Sequence, residues 1–256
     1  MVVTYLNTRG KEILRAIVEA YIETVTPVSS QHITQRLRLH LSAATIRNVM
    51  AELDILGFIW QPHTSAGRIP TDKGYRYYID TILQPEQLTL QERELLGRQA
   101  FAEDEAFDEL LTEFLHILSN FSKYTAVAFS CFDKDRFYVT GASYILEQPE
   151  FQDAQKLQPI LKSFEREEPL LAIMKEDLKQ DGVKIHIGSE NLCEEIQECS
   201  LVISNFKIRA RNMGVLGIIG PRRMSYPKVI STVDYVAQAF GERMAGFDIW
   251  EAEERA

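Results

Sequence analysis

The chain has 256 residues, a net charge of −9, 45% hydrophobic residues and three cysteines. That length can bury two modest cores, and no apolar run approaches the roughly 20 residues that a membrane helix needs. No signal peptide is evident, and Cys131, Cys193 and Cys199 are odd in number and lack CxxC spacing; a reducing cytoplasm is therefore expected and a disulfide framework is not.

Arg9 to Thr26 carries Ile13, Leu14, Ile17, Val18, Tyr21 and Ile22 on one face, the pattern of an amphipathic helix. Asn7 is its expected cap, Gly10 weakens the first turn, and Pro27 ends it. Ser30 is expected to cap a short second helix with Ile33 and Leu37 inward, and Leu39 to Leu41 to turn into a third. Ser42 caps that third helix, whose core face is Ile46, Met50 and Leu53, and Gly57 stands where a left-handed residue would end it. Phe58 to Trp60 are β-formers closed by Pro62. His63-Thr64-Ser65-Ala66-Gly67-Arg68 is a polar turn, and Thr71 caps a last helix that packs through Tyr75, Tyr78, Ile79 and Leu83. Helices, a short β-ribbon and a basic tip in this order predict a winged helix-turn-helix over residues 1–83.

With Ile46, Met50 and Leu53 inward, a step of about 100° per residue sets Ala44, Arg47, Asn48 and Ala51 on the opposite side. Two alanines permit close approach to a groove floor, and Arg47 and Asn48 can hydrogen-bond base edges. Taken alone, a solvated helix face is the better reading of any single exposed Arg or Asn. The wing adds phosphate-contact types, and phosphates take most protein–DNA hydrogen bonds. The expected DNA-binding residues are Ser42, Ala44, Thr45, Arg47, Asn48, His63, Thr64, Ser65, Arg68, Lys73 and Arg76. Residues 1–83 hold 9 Lys and Arg against 7 Asp and Glu, so the acidity lies in the remainder of the chain. Binding charge is a local property of one face.

Gln84-Pro85 breaks the pattern, and residues 84–123 read as a helical linker. Thr89 and Glu92 form a capping box there, and Glu103-Asp104-Glu105 reads as a solvated run. Leu110, Leu111, Phe114, Leu115, Ile117, Leu118 and Phe121 make a broad apolar surface, for packing on the following domain or for a dimer contact. In residues 124–256, strands are expected at 124–132, 137–145, 183–187, 201–209 and 215–219. Helices interrupted at Pro169 are expected over 151–179, and a closing helix over 229–247. This is an α+β layer with an antiparallel sheet.

No enzyme chemistry stands out. Cys131 or Cys193 with His186 is the nearest pairing of nucleophile and base, but no orienting partner or elbow motif accompanies it. Cys193, Cys199 and His186 fit no zinc spacing. Gly214-x-x-Gly217-x-x-Gly220 lies along a strand with no helix to cap a phosphate, so structural turns explain it better. No cofactor and no metal are expected.

The string PHTSAGRIPTDKGYRYYID, with ATIRN before it, resembles the HrcA family of heat-inducible transcription repressors. PEF with Asp153, IGSEN at Ile187 to Asn191, and GPRRM with Tyr226 resemble the same family in the same order. The resemblance implies a bacterial homodimeric repressor that binds an inverted-repeat operator before chaperone genes and loses activity on heat stress. It also implies a GroEL-type chaperonin as partner, no membrane association, and a GAF-like second domain for regulation or dimerisation. Such a domain could instead sense a small-molecule effector. The chain departs from the pattern at Val25 and Ser29, where the family often has Gly, and at Arg222, where it usually has Thr. It also passes from Phe129 through Asp133-Lys134-Asp135 almost directly to Val139, so the dimerisation module that the family inserts in this domain is expected to be absent.

Overall fold

Asn7 Oδ1 accepts the amide of Gly10 at 2.8 Å and starts α1 (Thr8–Thr24). The helix stops two residues before the expected Thr26, because Val25 adopts a left-handed backbone with φ 55°. Ile13, Leu14, Ile17 and Val18 are fully buried on its inner face. The second helix, α2 (Ser30–Leu37), is capped by Ser29 and not by Ser30: Ser29 Oγ accepts the amide of His32 at 3.1 Å. A serine suits this position because its hydroxyl satisfies a free first-turn amide. Ile33 is buried, whereas the side chain of Leu37 and the turn at 39–41 lie outside the residues described. In this computed structural model those residues are 5–37, 42–97 and 107–246.

The third helix, α3 (Ala43–Ile55), buries Ile46, Met50 and Leu53, the expected face. It ends at Gly57, φ 74°, with the Phe58 amide on Leu53 O and the Gly57 amide on Asp54 O, both 2.9 Å. These two bonds satisfy carbonyls that the helix end leaves free. β1 (Ile59–Trp60) and β2 (Ile69–Pro70) pair antiparallel as the wing. Thr71 then caps α4 (Asp72–Tyr77), which continues as one wide turn to Ile82, with Tyr75, Tyr78 and Ile82 buried. These elements form one compact unit, residues 1–84 with 223–225.

The second unit, residues 85–222 with 226–256, contains α5 (Leu90–Gly97) and α6 (Phe107–Ser122). The two helices expected as a linker thus belong to this unit; the acidic run at 103–105 lies outside the described residues. Five antiparallel strands follow: β3 (Thr125–Ser130), β4 (Arg136–Thr140), β5 (Lys184–Ile187), β6 (Cys199–Ile208) and β7 (Arg211–Pro221), in the order β4-β3-β7-β6-β5. β3 is buried at all six positions, so both faces of the sheet are covered. On one face, Val127, Phe129, Leu201 and Ile203 share a core with Ile160 of α7 (Ala154–Arg166) and Leu170 and Met174 of α8 (Glu168–Asp177). The break expected at Pro169 falls at Glu167, φ 57°, and Pro169 stands in the first turn of α8. On the other face, Phe107 and Phe114 of α6 meet Phe206 and Phe240, the latter from α9 (Tyr226–Ala245), with ring centroids 4.9–6.3 Å apart. Leu110, Leu111, Phe114, Leu115 and Leu118 are buried there, so the apolar surface of α6 is used within its own chain.

The motifs of this unit carry structure. Phe151 of PEF is buried, and Asp153 caps α7 by accepting the Gln155 amide at 2.9 Å. Tyr226 is fully buried, its hydroxyl 2.8 Å from Ser200 Oγ and donating to Arg222 O at 2.6 Å. The glycine series at 214, 217 and 220 lies inside β7, not in turns.

Candidate nucleic-acid interface

α3 presents its outer stripe as the sequence requires. Ala44, Arg47, Asn48 and Ala51 are all exposed. The start of the helix is held by Ser42, whose Oγ accepts the Thr45 amide at 3.1 Å and lies 3.0 Å from Thr45 Oγ1. Those two hydroxyls therefore build the first turn, which reduces their freedom to leave for a ligand. Arg47 bonds within the helix, Nε to Ala43 O at 3.4 Å, and among the described residues no carboxylate pairs with it. Its guanidinium keeps its planar fork for a bidentate acceptor. Asn48 beside it offers both a donor and an acceptor.

The wing is set by three contacts, only one of them visible in the local sequence. Ala66 N donates to His63 O at 2.8 Å and closes the turn. Gln61 Nε2 donates to Thr64 O and to Ala66 O, each at 2.8 Å, and so pins the tip from inside. At the root, Arg68 and Val28 exchange both backbone hydrogen bonds at 2.9 Å. Gly67 is required there, since a Cβ would stand 2.4 Å from the Val28 carbonyl. His63, Thr64 and Ser65 are left exposed at the tip.

The remaining expected contacts are placed differently from one another. Arg68 Nε lies 2.9 Å from Asp54 Oδ2 with 20% of its side chain exposed, which ties the wing to α3. Lys73 Nζ donates to Leu56 O at 2.7 Å and sits over the Phe58 ring, at the C-terminal end of α3, where a cation complements the helix dipole. Arg76 pairs with Asp80 at 3.2 Å. The structure therefore brings Arg47, Asn48 and their flanking alanines together on one stripe and sets His63, Thr64 and Ser65 at the tip. Lys73 and Arg76 have structural partners. The sequence does not single out Gln61 and Asp54: Gln61 lies outside the turn it closes, and Asp54 continues the Arg47–Ala51 side of α3 but finds its partner 14 residues on, in the wing.

Among the described residues, Cys193, Cys131 and His186 meet partners other than one another. Cys193 Sγ lies 3.2 Å from Glu195 Oε2 and Cys131 Sγ 3.4 Å from Met213 O, while His186 Nε2 meets Asp177 Oδ2 at 2.6 Å. Burial pushes Cys193 up to about 11, with Glu195 beside it adding to the shift, and burial pushes Cys199 higher still. No helix among the described residues is long and apolar enough to cross a membrane.

Residues 5–82 match the family model of the winged helix-turn-helix transcription repressor HrcA, DNA-binding, and residues 88–230 match that of the HrcA protein C-terminal domain. The chain belongs to the HrcA family. A heat-inducible transcription repressor HrcA of Pelotomaculum thermopropionicum is 29% identical to it, over 91% of this chain and 95% of that one. One of Symbiobacterium thermophilum is also 29% identical, over 93% and 98%. The first alignment runs over 331 residues against the 256 of this chain, so a stretch of the relative has no counterpart here. A crystal structure of a hypothetical protein shares the fold, with TM-score 0.79 at 19% identity over 94% of this chain and 99% of that one. The HrcA assignment accounts for both units: a DNA-binding winged helix, and the family's C-terminal domain, here built on an antiparallel sheet.

Proposed function

We propose that this chain represses heat-shock genes by binding an inverted-repeat operator as a homodimer in the cytoplasm. α3 enters the major groove with Arg47 and Asn48 on base edges, and His63, Thr64 and Ser65 of the wing contact the flanking backbone. The observation that carries this reading is the exposed Arg47–Asn48 pair on a capped helix, flanked by Ala44 and Ala51. Residues 1–83, with 9 basic and 7 acidic residues, have little non-specific charge to draw on. Two half-sites on one face of DNA, about 34 Å apart or a multiple of it, supply the specificity that one cannot. Since the apolar side of α6 is used internally, the dimer contact falls to other surfaces of the second unit. Heat stress releases the repressor, and a GroEL-type chaperonin restores its active form.

The test begins by selecting duplexes from a random pool with the parent chain, then measuring mass in solution by light scattering with and without the selected DNA. A two-to-one complex on an inverted repeat is expected. Asn48→Ala should relax base preference and cost about 1–3 kcal/mol. A strict monomer that binds one-to-one, or an Asn48→Ala variant with unchanged preference, would overturn the reading.

A further inference from the structure

Asp54 is an unexpected residue for its place in the fold. It follows Arg47 by seven positions, two helical turns, so it stands on the same side of α3 as Arg47 and Ala51. A carboxylate on a DNA-facing stripe repels phosphate, and its loss alone would raise affinity for any duplex. Here it is engaged: Asp54 Oδ2 lies 2.9 Å from Arg68 Nε, and both side chains are partly buried, at 34% and 20% exposure. Arg68 is in turn clamped by its backbone to Val28, and Gly67 beside it allows that close approach. The ion pair thus joins three segments, the entry to α2, the helix α3 and the root of the wing. The pair is a close charge contact: Arg68 Nε is buried, and its N–H makes no directed hydrogen bond.

We propose that Asp54 is a positioning residue for DNA recognition: through Arg68 it fixes the wing in one setting relative to the Arg47–Asn48 stripe. The inference rests on the proposed reading of α3 and the wing as the DNA face. It assigns to an acidic residue a gain in operator affinity, opposite in sign to its coulombic effect, and that opposition makes it testable. A wing held in one setting pays less ordering on binding, which favours the operator over random DNA.

Asp54→Asn, Arg68→Lys and the double variant are compared in the full chain, with Arg47→Ala as the control for the face itself. Each is titrated with a duplex selected by the parent chain and with a scrambled duplex of equal length, over a salt series, and each is melted without DNA. Asp54→Asn should bind the selected duplex roughly tenfold more weakly, while binding the scrambled duplex at least as well as the parent. Arg68→Lys keeps the charge but replaces the broad, planar guanidinium that fills the contact with Asp54 by a compact, strongly hydrated ammonium, so it should behave alike, and the double variant should be no weaker than either single one. If Asp54→Asn fails to fold, Arg68→Lys carries the same comparison. Equal or tighter operator binding by these variants overturns the proposal, and so does an equal loss on both duplexes, which would mean general damage. If those variants are neutral while Arg47→Ala is impaired, only the role of Asp54 falls. A parent that selects no duplex, or an Arg47→Ala variant that binds as the parent does, removes the DNA face and this proposal with it.

Discussion

Gln61 Nε2 donates to the carbonyl oxygen of Ala66 at 2.8 Å, across the tip of the wing, and its second hydrogen reaches Thr64 O at the same distance. The turn has one backbone bond of its own, Ala66 to His63, so the glutamine supplies most of its closure. Each such bond is worth about 0.5–1.5 kcal/mol. Gln61→Ala should therefore speed amide exchange at 63–66 and weaken operator binding, with little change in the melting temperature of an exposed tip. Gln61→Glu should be worse, because it sets carboxylate oxygens against two carbonyls and near phosphate. Unchanged exchange at the tip in both variants would contradict this role.

What could be read from the sequence was local chemistry. Asn7, Ser42, Gly57 and Thr71 each act within four residues of themselves, and the structure keeps all four in the expected places. The faces of α1, α3 and α6 follow from apolar spacing for the same reason. Long-range polar pairing leaves no such trace. Nothing in the spacing of Asp54 and Arg68, or of His186 and Asp177, marks them as partners. Lys73 is expected at the DNA from its place beside the wing; its bond to Leu56 O depends on where α3 ends in space. The Ser29 cap was displaced by one residue, since two adjacent serines offer the same hydroxyl.

Val25 is a β-branched residue held at φ 55° to end α1. A left-handed backbone costs an L-residue roughly 1–2 kcal/mol, and Gly escapes that cost at some expense in chain entropy. Val25→Gly should stabilise the first unit by about 0.5–1 kcal/mol, and Val25→Asn, which tolerates this region, by a similar amount. Urea unfolding at fixed protein concentration measures it. Destabilisation by both variants would show that the packing of the valine outweighs its backbone strain.

Asn191 explains the IGSEN motif. Its Nδ2 donates to Gly188 O at 2.9 Å, Cys199 O at 3.1 Å and Ile196 O at 3.4 Å, and the residue is 1% exposed. One amide thus gathers the loop between β5 and β6. Asn191→Asp replaces the donor by an oxygen facing three carbonyls in a buried site, and a loss of about 3–5 kcal/mol is expected. Asn191→Ala leaves the carbonyls short of donors and should cost about 1–3 kcal/mol. Thermal melting of the full chain tests the order, Asp below Ala below parent. A reversed order would mean that the cavity, not the lost donor, dominates.

The tether of α5 should respond to pH. Glu92 accepts from Lys228 Nζ and, within the capping box, from the amide of Thr89 at 2.8 Å and its hydroxyl at 2.9 Å. The ammonium of Lys228 is the largest influence, followed by the Thr89 amide and hydroxyl. Together they hold the Glu92 carboxyl down from 4.5 to about 2. A depressed carboxyl stabilises the folded state fully above its unfolded value and loses that contribution as pH falls through the folded one. The tether should therefore be intact above about pH 4.5 and weaken progressively toward pH 2. Burial works against the Lys228 ammonium, but Glu92 and Glu86 beside it together outweigh that and raise it from 10.5, so it acts oppositely. Its contribution is whole below 10.5 and fades as pH rises beyond its folded value. Amide exchange across residues 89–97, followed from pH 6 down to pH 2.5, should show protection falling with a midpoint below 4. Glu92→Gln should abolish the pH dependence while keeping part of the capping box, since its side-chain oxygen can still accept from the Thr89 amide. A Glu92 carboxyl that titrates at or above 4.5, followed by its NMR shift, would mean that Lys228 does not hold it in solution.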